Sequence, residues 1–250
     1  MNDHLRFAGL SFDDFRRRAL DPELSEHEKV GFPDAYRAGR EHAILEDLLG
    51  KLPGLSERGR SVLEVGPGCS RLPRLLIELC AQHQHELLLV DSEEMLGLLP
   101  DAGHVKKLPG RYPDDCRSVL APLQGRVDVV LAYSVAQYVF SEGNLFAFLD
   151  HALGLLAPGG DLLIGDVPNY SMRNRFLASA AGREHHRSYS GRSLPPEVEF
   201  GRLAPGEMDD AVVLALVSRA RSAGFHAFLL PQARGLPMAN RREDVLIRRP

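Results

Sequence analysis

Val62-Leu63-Glu64-Val65-Gly66-Pro67-Gly68-Cys69-Ser70 is the stretch on which the reading of this chain turns. The short apolar run Ser61–Val65 delivers the backbone into a turn with glycine at two of three positions, and a helical pattern over Cys69 to Gln82 follows at once. A brief continuous apolar run bounded by a turn predicts a strand buried on both faces. Gly66 and Gly68 carry no Cβ, so main chain can pass close to a ligand and take positive φ where the turn requires it. The start of the next helix leaves free N–H groups on the same side. Two phosphate-binding patterns are excluded. The dinucleotide motif G-x-G-x-x-G needs glycine where this chain has Arg71, and a P-loop needs G-K-[ST], which is absent.

The same alternation runs outward from this turn. Leu87–Val90 is apolar and ends at Asp91. Val105–Leu108 is a weaker strand, Val127–Ala132 a strong one, and Leu145–Leu156 reads as a helix. Ala157-Pro158-Gly159-Gly160 reads as a turn before a strand over Asp161–Val167. A helix over Glu207–Ala223 precedes strands near Phe225–Leu230 and Val245–Arg248, whose short connection favours an antiparallel return. The prediction is an α/β fold: a doubly wound, mostly parallel, seven-stranded sheet with an antiparallel last strand. Upstream, Ser11–Leu20 predicts a short amphipathic helix. Asp34–Leu52 predicts a longer one, with Ala35, Ala38, His42, Leu45 and Leu49 at helical spacing, ended by Pro53-Gly54. Residues 1–55 thus read as an N-terminal helical cap and 56–250 as the core. Residues 168–206, rich in Arg, Ser, His, Gly and Pro, read as an insertion on the substrate side.

Of the 250 residues 44% are hydrophobic and 26% charged, with a formal net charge of −4, which argues against a general nucleic-acid binder. Cys69, Cys80 and Cys116 form no CxxC pair, so reduced thiols are expected, with neither a disulfide framework nor a zinc site. No histidine–carboxylate spacing predicts a metal site. Met1–Phe7 lacks an apolar signal core, and no apolar run approaches the roughly 20 residues of a membrane span. The expectation is a soluble, cytoplasmic protein.

Four elements in order resemble the class I S-adenosylmethionine-dependent methyltransferases, which have a Rossmann-like fold. They are Glu64, Gly66 and Gly68 for [ED]-x-G-x-G, Asp91 closing the second strand, Val127-Asp128-Val129-Val130-Leu131-Ala132 followed by Tyr133-Ser134-Val135-Ala136-Gln137-Tyr138-Val139, and Leu156-Ala157-Pro158-Gly159-Gly160. The resemblance implies S-adenosyl-L-methionine as cofactor, seated on Glu64, Gly66, Pro67 and Gly68, with Asp91 beside Ser92 accepting hydrogen bonds from the ribose and Tyr133 and Ser134 beyond. Asp91 also reads as a helix cap for the stretch that follows it. The acid that many members carry after the third strand is missing from Leu108-Pro109-Gly110-Arg111-Tyr112, which leaves the adenine to backbone groups or Tyr112. Tyr36 or Arg37, on the N-terminal helix, is a candidate for the methionine carboxylate; ordinary packing with an Arg37–Glu41 salt bridge is the alternative.

Ligands of open parallel sheets lie beyond the carboxyl ends of the strands. The loop after the fourth strand therefore offers Gln137 and Tyr138 to the acceptor, and the insertion offers Arg173, Arg183 and Arg187, with Arg175, Tyr189 and Arg192 nearby. Arginine forks suit phosphate, although a solvated basic loop explains the same composition. A hydroxyl acceptor benefits from a base, for which His185, His186, Tyr133 and Asp166 are candidates. Gly31-Phe32-Pro33-Asp34-Ala35-Tyr36-Arg37, Asp91-Ser92-Glu93-Glu94-Met95-Leu96 and Asp166-Val167-Pro168-Asn169-Tyr170 are similar to bacterial methyltransferases of sugar and surface-polysaccharide biosynthesis. That similarity implies a sugar-like small-molecule acceptor, phosphorylated or nucleotide-linked, methylated in line on O or N. No membrane partner is expected, a homodimer stays open, and nucleic acid is disfavoured, since the Asp166–Tyr170 stretch resembles the amino-methylase signature [DN]-P-P-[YF] only in the wrong place. A cofactor-binding protein without transfer activity, a nucleic-acid methyltransferase and an NAD-dependent oxidoreductase are the alternatives, the last opposed by Arg71. Replacing Arg183 and Arg187 by alanine should raise the acceptor KM and leave cofactor binding unchanged; an unaltered acceptor KM would leave the insertion a solvated loop.

Overall fold

Strands β1 (Ser61–Val65), β2 (Glu86–Asp91), β3 (Val105–Pro109), β4 (Val127–Tyr133), β5 (Leu156–Pro168), β6 (His226–Pro231) and β7 (Arg242–Arg248) form one sheet in the order β3-β2-β1-β4-β5-β7-β6. The first five pair in parallel, and β7 runs antiparallel to both β5 and β6. This computed structural model describes residues 7, 9–190, 194–201 and 204–250, the side chains of 189 and 190 excepted. The sheet order reverses at β1, which pairs with β2 on one side and β4 on the other, and a ligand crevice is expected there.

The helices are α1 (Phe12–Leu20), α2 (Glu26–Lys29), α3 (Asp34–Arg37), α4 (Glu41–Lys51), α5 (Arg71–His83), α6 (Glu93–Gly97), α7 (Arg117–Leu120), α8 (Ala136–Glu142), α9 (Leu145–Leu155), α10 (Tyr170–Ala178), α11 (Ala180–Ser190) and α12 (Asp210–Ser222). The two-residue period of the strands sorts their side chains to opposite faces. Leu63, Val65, Val130, Ala132, Leu162 and Ile164 pack with α9 and α12. Val62, Val129, Leu131, Tyr133 and Leu163 pack with α4 and α5. Ile44, Leu48, Leu52 and Leu55 belong to that second core, so α4 is a layer against the sheet, while its first turn, with Glu41 and Ile44, also reaches the cavity wall. The insertion folds in part as α10 and α11, which pack on one another, with α10 also touching α12.

Two elements differ from expectation. The single helix over Asp34–Leu52 is two helices, α3 and α4, because Gly39 takes a left-handed φ of +76° and turns the chain between them. Ala157–Gly160 is not a separate turn but the start of β5. Leu156 pairs with Val127 and Asp161 with Val129, which brackets a bulge. Gly159 supplies the positive φ, and a Cβ on Gly160 would meet the carbonyl oxygens of Ala157, Asp128 and Val127 at 2.9–3.0 Å, so the strand bulges where a chain reversal is expected.

Cys69, Cys80 and Cys116 are buried free thiols. Among the described residues no helix is long and apolar enough to cross a membrane. Gly165, beside Tyr133 in the β4–β5 pairing, is closely packed: a Cβ there would lie 2.6 Å from the Tyr133 ring. Gly165→Ala should therefore lower stability by about 1–3 kcal/mol in denaturant unfolding; an unchanged midpoint would mean that the ring moves aside freely.

Candidate functional site

The carboxyl ends of β1, β2 and β4 open onto a cavity of about 260 Å³. Its floor is the glycine turn. Gly66 and Gly68 hold φ of +68° and +66°, and both are crowded as well: a Cβ would fall 2.6 Å from Val135 at the first and 2.5 Å from Val30 at the second. Pro67 completes the turn on the cavity wall. Asp91 lines the cavity and braces the turn, its carboxylate accepting the N–H groups of Gly68 (2.9 Å) and Ser92 (2.7 Å). Burial pushes its pKa up to about 6 against the pull of those two donors. The helix cap is Ser92, whose Oγ accepts Met95 N–H; Ser92 itself stands behind the cavity wall. Glu64 also lies behind the wall, fully buried, with Oε2 unpartnered. Burial, with the charge of Asp91, pushes its pKa up to about 8, so Glu64 is mostly protonated at neutral pH.

The third-strand end of the cavity is formed by Gly110, Arg111, Tyr112, Pro113 and Asp114. The Tyr112 hydroxyl is committed to His151 Nδ1 at 2.8 Å, and its ring meets Phe148 edge-on at 5.1 Å. What Tyr112 offers a ligand is an immobilised aromatic surface rather than a free hydroxyl.

The roof comes from the N-terminal segment. Ser11 and Ser25 each begin a short helix with a capping box. The first of these, α1, is fastened at both ends of the cleft: Arg16 forks onto Glu94 of α6 (Nη2 at 2.7 Å), and Phe12 N–H bonds Glu142 of α8 (3.0 Å). Phe15 packs edge-on against Tyr138 at 4.7 Å. Arg37 is buried with its guanidinium 4.1 Å from the Phe32 ring centre, and it donates to Ser134 Oγ (2.7 Å) and to Asp166. Its Nε has no partner. Glu41 pairs with His27 at 2.6 Å, so both members of the alternative Arg37–Glu41 bridge are taken elsewhere.

Asp166, at 1% exposure, gathers the strand ends. It accepts from Arg37, Ser134 Oγ, Arg242 Nη1 (2.8 Å) and Gln232 Nε2 (3.1 Å). Burial opposes its charge, but Arg242 and Arg37 outweigh burial and its pKa is lowered. Ser134 and Asp166 hold φ of +62° and +57°, uncommon for residues with a side chain and typical of sites whose surroundings over-determine the backbone. Burial, reinforced by Asp166, raises Tyr133 well above the usual phenol range.

The structure thus brings Gly66, Pro67, Gly68, Asp91, Tyr112, Tyr133, Ser134, Tyr138 and Arg37 to one cavity. Glu64, Ser92, Gln137 and Asp166 support it from behind, Gln137 by a 2.8 Å bond to the Ser134 carbonyl. Tyr36 stands off the wall, as do the described residues of the insertion. There Arg173 is exposed, Arg183 bonds the Ala178 carbonyl at the end of α10, Arg187 pairs with Glu184, and Arg175 pairs with Asp210. His185 meets Arg241 at 3.2 Å, and His186 is partly exposed beside it. The Tyr189 side chain and Arg192 lie outside the described residues. Sequence reasoning missed Phe12, Phe15, His27, Val30, Phe32 and Glu142 on the wall. The i, i+3 pair Phe12/Phe15 next to a capping box was a legible sign of a helix with an aromatic face. Among the described residues Glu26, His27 and Glu41 bring ligand-type atoms within 4.8 Å, but both His27 nitrogens are already held by carboxylates.

No family model matches the chain. Over 159 residues, 62% of its length, it is 28% identical to chondramide synthase cmdD of Chondromyces crocatus, of which this match spans 4%. Among solved structures it resembles the CurJ carbon methyltransferase (TM-score 0.54, 18% identity, 94% of this chain and 63% of that one). It also resembles an O-methyltransferase family protein of Burkholderia thailandensis (0.54, 19%, 100% and 67%). A third is phosphoethanolamine N-methyltransferase 1 of Haemonchus contortus, solved with phosphoethanolamine and S-adenosylhomocysteine (0.55, 14%, 99% and 50%). The chain spans half to two thirds of the length of these structures. At such identities the likeness is one of fold. With its strand order and antiparallel β7, the chain has the fold of the class I S-adenosylmethionine-dependent methyltransferases.

Asp166→Asn removes the negative charge from two buried guanidinium partners. It should cost about 3–5 kcal/mol in unfolding free energy; a loss below about 1 kcal/mol would show that water replaces the carboxylate at this junction.

Proposed function

We propose that this chain is a methyltransferase that binds S-adenosyl-L-methionine on the glycine turn and transfers its methyl group to a small molecule. The observation that carries the reading is the Gly66–Gly68 turn braced by the Asp91 carboxylate, at the switch point of the sheet and on the wall of the cavity. The residues present fit the cofactor. Asp91 keeps acceptor capacity for ribose hydroxyls, since each carboxylate oxygen has more than one lone pair. The two glycines let Val135 and Val30 close onto the turn and hold it as the cavity floor, and Tyr112 offers a flat surface to a purine. Arg37 provides a guanidinium for the methionine carboxylate. When bound, the cofactor supplies an electrophilic methyl on a sulfonium.

The rest of the work falls to position. The cap excludes water, and holding donor and acceptor in line is worth about 7–11 kcal/mol at best. Tyr133, Ser134 and Tyr138 stand on the wall past the end of β4, where the acceptor approaches. Asp166 is ionised and surrounded by donors, which suits orientation of Ser134 and Arg37 better than proton removal. An amine acceptor arriving unprotonated needs no base; for a hydroxyl acceptor Tyr133, His185 and His186 remain the other candidates. A phosphorylated or nucleotide-linked sugar is the finer reading, and it rests on the insertion arginines Arg173, Arg183 and Arg187. Phosphorylated ligands in two structural neighbours, the phosphoethanolamine enzyme and a geranyl diphosphate C-methyltransferase of Streptomyces coelicolor, support an anionic acceptor. Reduced cysteines in a cytoplasmic setting belong to the same proposal. One observation favours the alternative of a cofactor-binding protein without transfer: Arg37 occupies the ends of β4 and β5, where the acceptor must enter.

Calorimetric titration of S-adenosylmethionine and S-adenosylhomocysteine should give saturable binding that weakens roughly tenfold or more in Asp91→Ala, about the worth of one lost charged hydrogen bond. Because Asp91 must be ionised to accept both hydroxyls, affinity should also fall as pH drops through about 6. Absence of binding by the folded wild type would remove the basis for the proposal.

A further inference from the structure

His27 is 6% exposed and is held at both ring nitrogens. Nδ1 lies 2.8 Å from Asp34 of α3, and Nε2 lies 2.6 Å from Glu41 of α4. Ser25 Oγ bonds the same Asp34 oxygen at 2.7 Å and fixes that carboxylate. A carboxylate only accepts, so both contacts are hydrogen bonds only while the imidazole carries two protons. A neutral ring donates once and turns its remaining lone pair toward a carboxylate oxygen; one of the two contacts then becomes repulsive, in a buried setting if it is the one to Glu41 and a partly buried one if it is the one to Asp34.

The placement of this joint gives it reach. His27 and Glu41 line the cavity, and the turn that follows α2 sets Val30 directly on Gly68. The same turn is closed by backbone bonds from Val30 and Phe32 to the His27 carbonyl. The charged groups facing the ring are Glu26 of its own helix, 3.8 Å from Nε2, Asp34 and Glu41, while from α1 the neighbouring cation, Arg18, is bonded to the Glu28 carbonyl.

We propose that His27 is a proton-controlled latch: doubly protonated, it ties α2 to α3 and α4 and seats the cap on the glycine turn, and losing a proton loosens the cap. The electrostatics agree in sign. Burial opposes protonation, but Glu41 and Asp34 outweigh it, and the His27 pKa is raised. A raised histidine pKa gives stabilisation that is full below the unfolded value and is lost as pH climbs through the folded one. The cap therefore loosens on the alkaline side, whereas weakening through Asp91 comes on the acid side. If the cavity holds the cofactor as proposed above, the latch governs its rate of exchange.

The test needs no ligand, so it stands apart from the methyltransferase reading. Imidazole ¹⁵N spectra of the full chain should show both His27 nitrogens protonated below a midpoint raised above that of an ordinary histidine. Hydrogen-exchange protection at Val30 and Phe32 should fall roughly tenfold across the His27 titration in the wild type. In Asp34→Asn the midpoint should move down by about one pH unit, and His27→Gln should abolish the pH dependence. Nδ1 or Nε2 found unprotonated on the acid side of the titration would overturn the latch, as would wild-type protection that does not fall through the titration or that falls equally in His27→Gln.

Discussion

Asp166 is a single buried charge on which separate parts of the chain converge. It sits in β5, fixed in a left-handed conformation, and satisfies Arg37 of the cap, Ser134 at the end of β4, Arg242 of β7 and Gln232 from the loop between β6 and β7. Its own N–H is held by Asp244, which in turn pairs with Lys51 of α4. A buried charge without partners is untenable, so each of these elements must be in place before the others are stable there. That mutual requirement joins an N-terminal segment with little core of its own to the carboxyl ends of β4 and β5.

The cavity then has a floor and a roof of different character. The floor is built from strand ends and the glycine turn, backed by two apolar layers, and Asp91 and Glu64 are carried on strands paired within the sheet. The roof is built from short helices tied down by one small apolar cluster, Phe15, Ala19 and Val30 on Cys69 and Met95, and by many polar contacts: Arg16 to Glu94, Phe12 to Glu142, Arg37 to Asp166 and the His27 pairings. Elements held by few apolar contacts and many polar ones open at lower free energy than the core they cover.

Much of the fold was legible because the central strands β1, β2 and β4 are short continuous apolar runs bounded by turn residues and separated by helical stretches. The limits of β1 and the start of β4 follow from the apolar pattern alone, and the glycine turn and Asp91 were legible at the ends of two adjacent predicted strands, whereas Arg37 was named only as one of two candidates on the N-terminal helix. Two boundaries failed for the same local reason. Gly39 breaks a helix and Gly159 bends a strand, and glycine spacing does not reveal which of its permitted conformations the neighbours will impose. The insertion arginines show the converse limit: their composition suggested a phosphate site, while their partners Asp210, Glu184 and the Ala178 carbonyl come from the fold.

The sequence by itself determined the layered sheet, the antiparallel hairpin at its edge and the position of the glycine turn, because each depends on residues adjacent in the chain and on a period of two or 3.6. Only the tertiary structure decided what closes the cavity. His27 meets Asp34 and Glu41, Arg37 meets Asp166, and Val30 meets Gly68 because the chain folds back over the strand ends, and no periodicity encodes which side chains such a return brings together. Protonation follows the same division: a carboxyl group is named by the sequence, but burial and neighbours decide that Glu64 keeps its proton near neutrality and Asp166 does not.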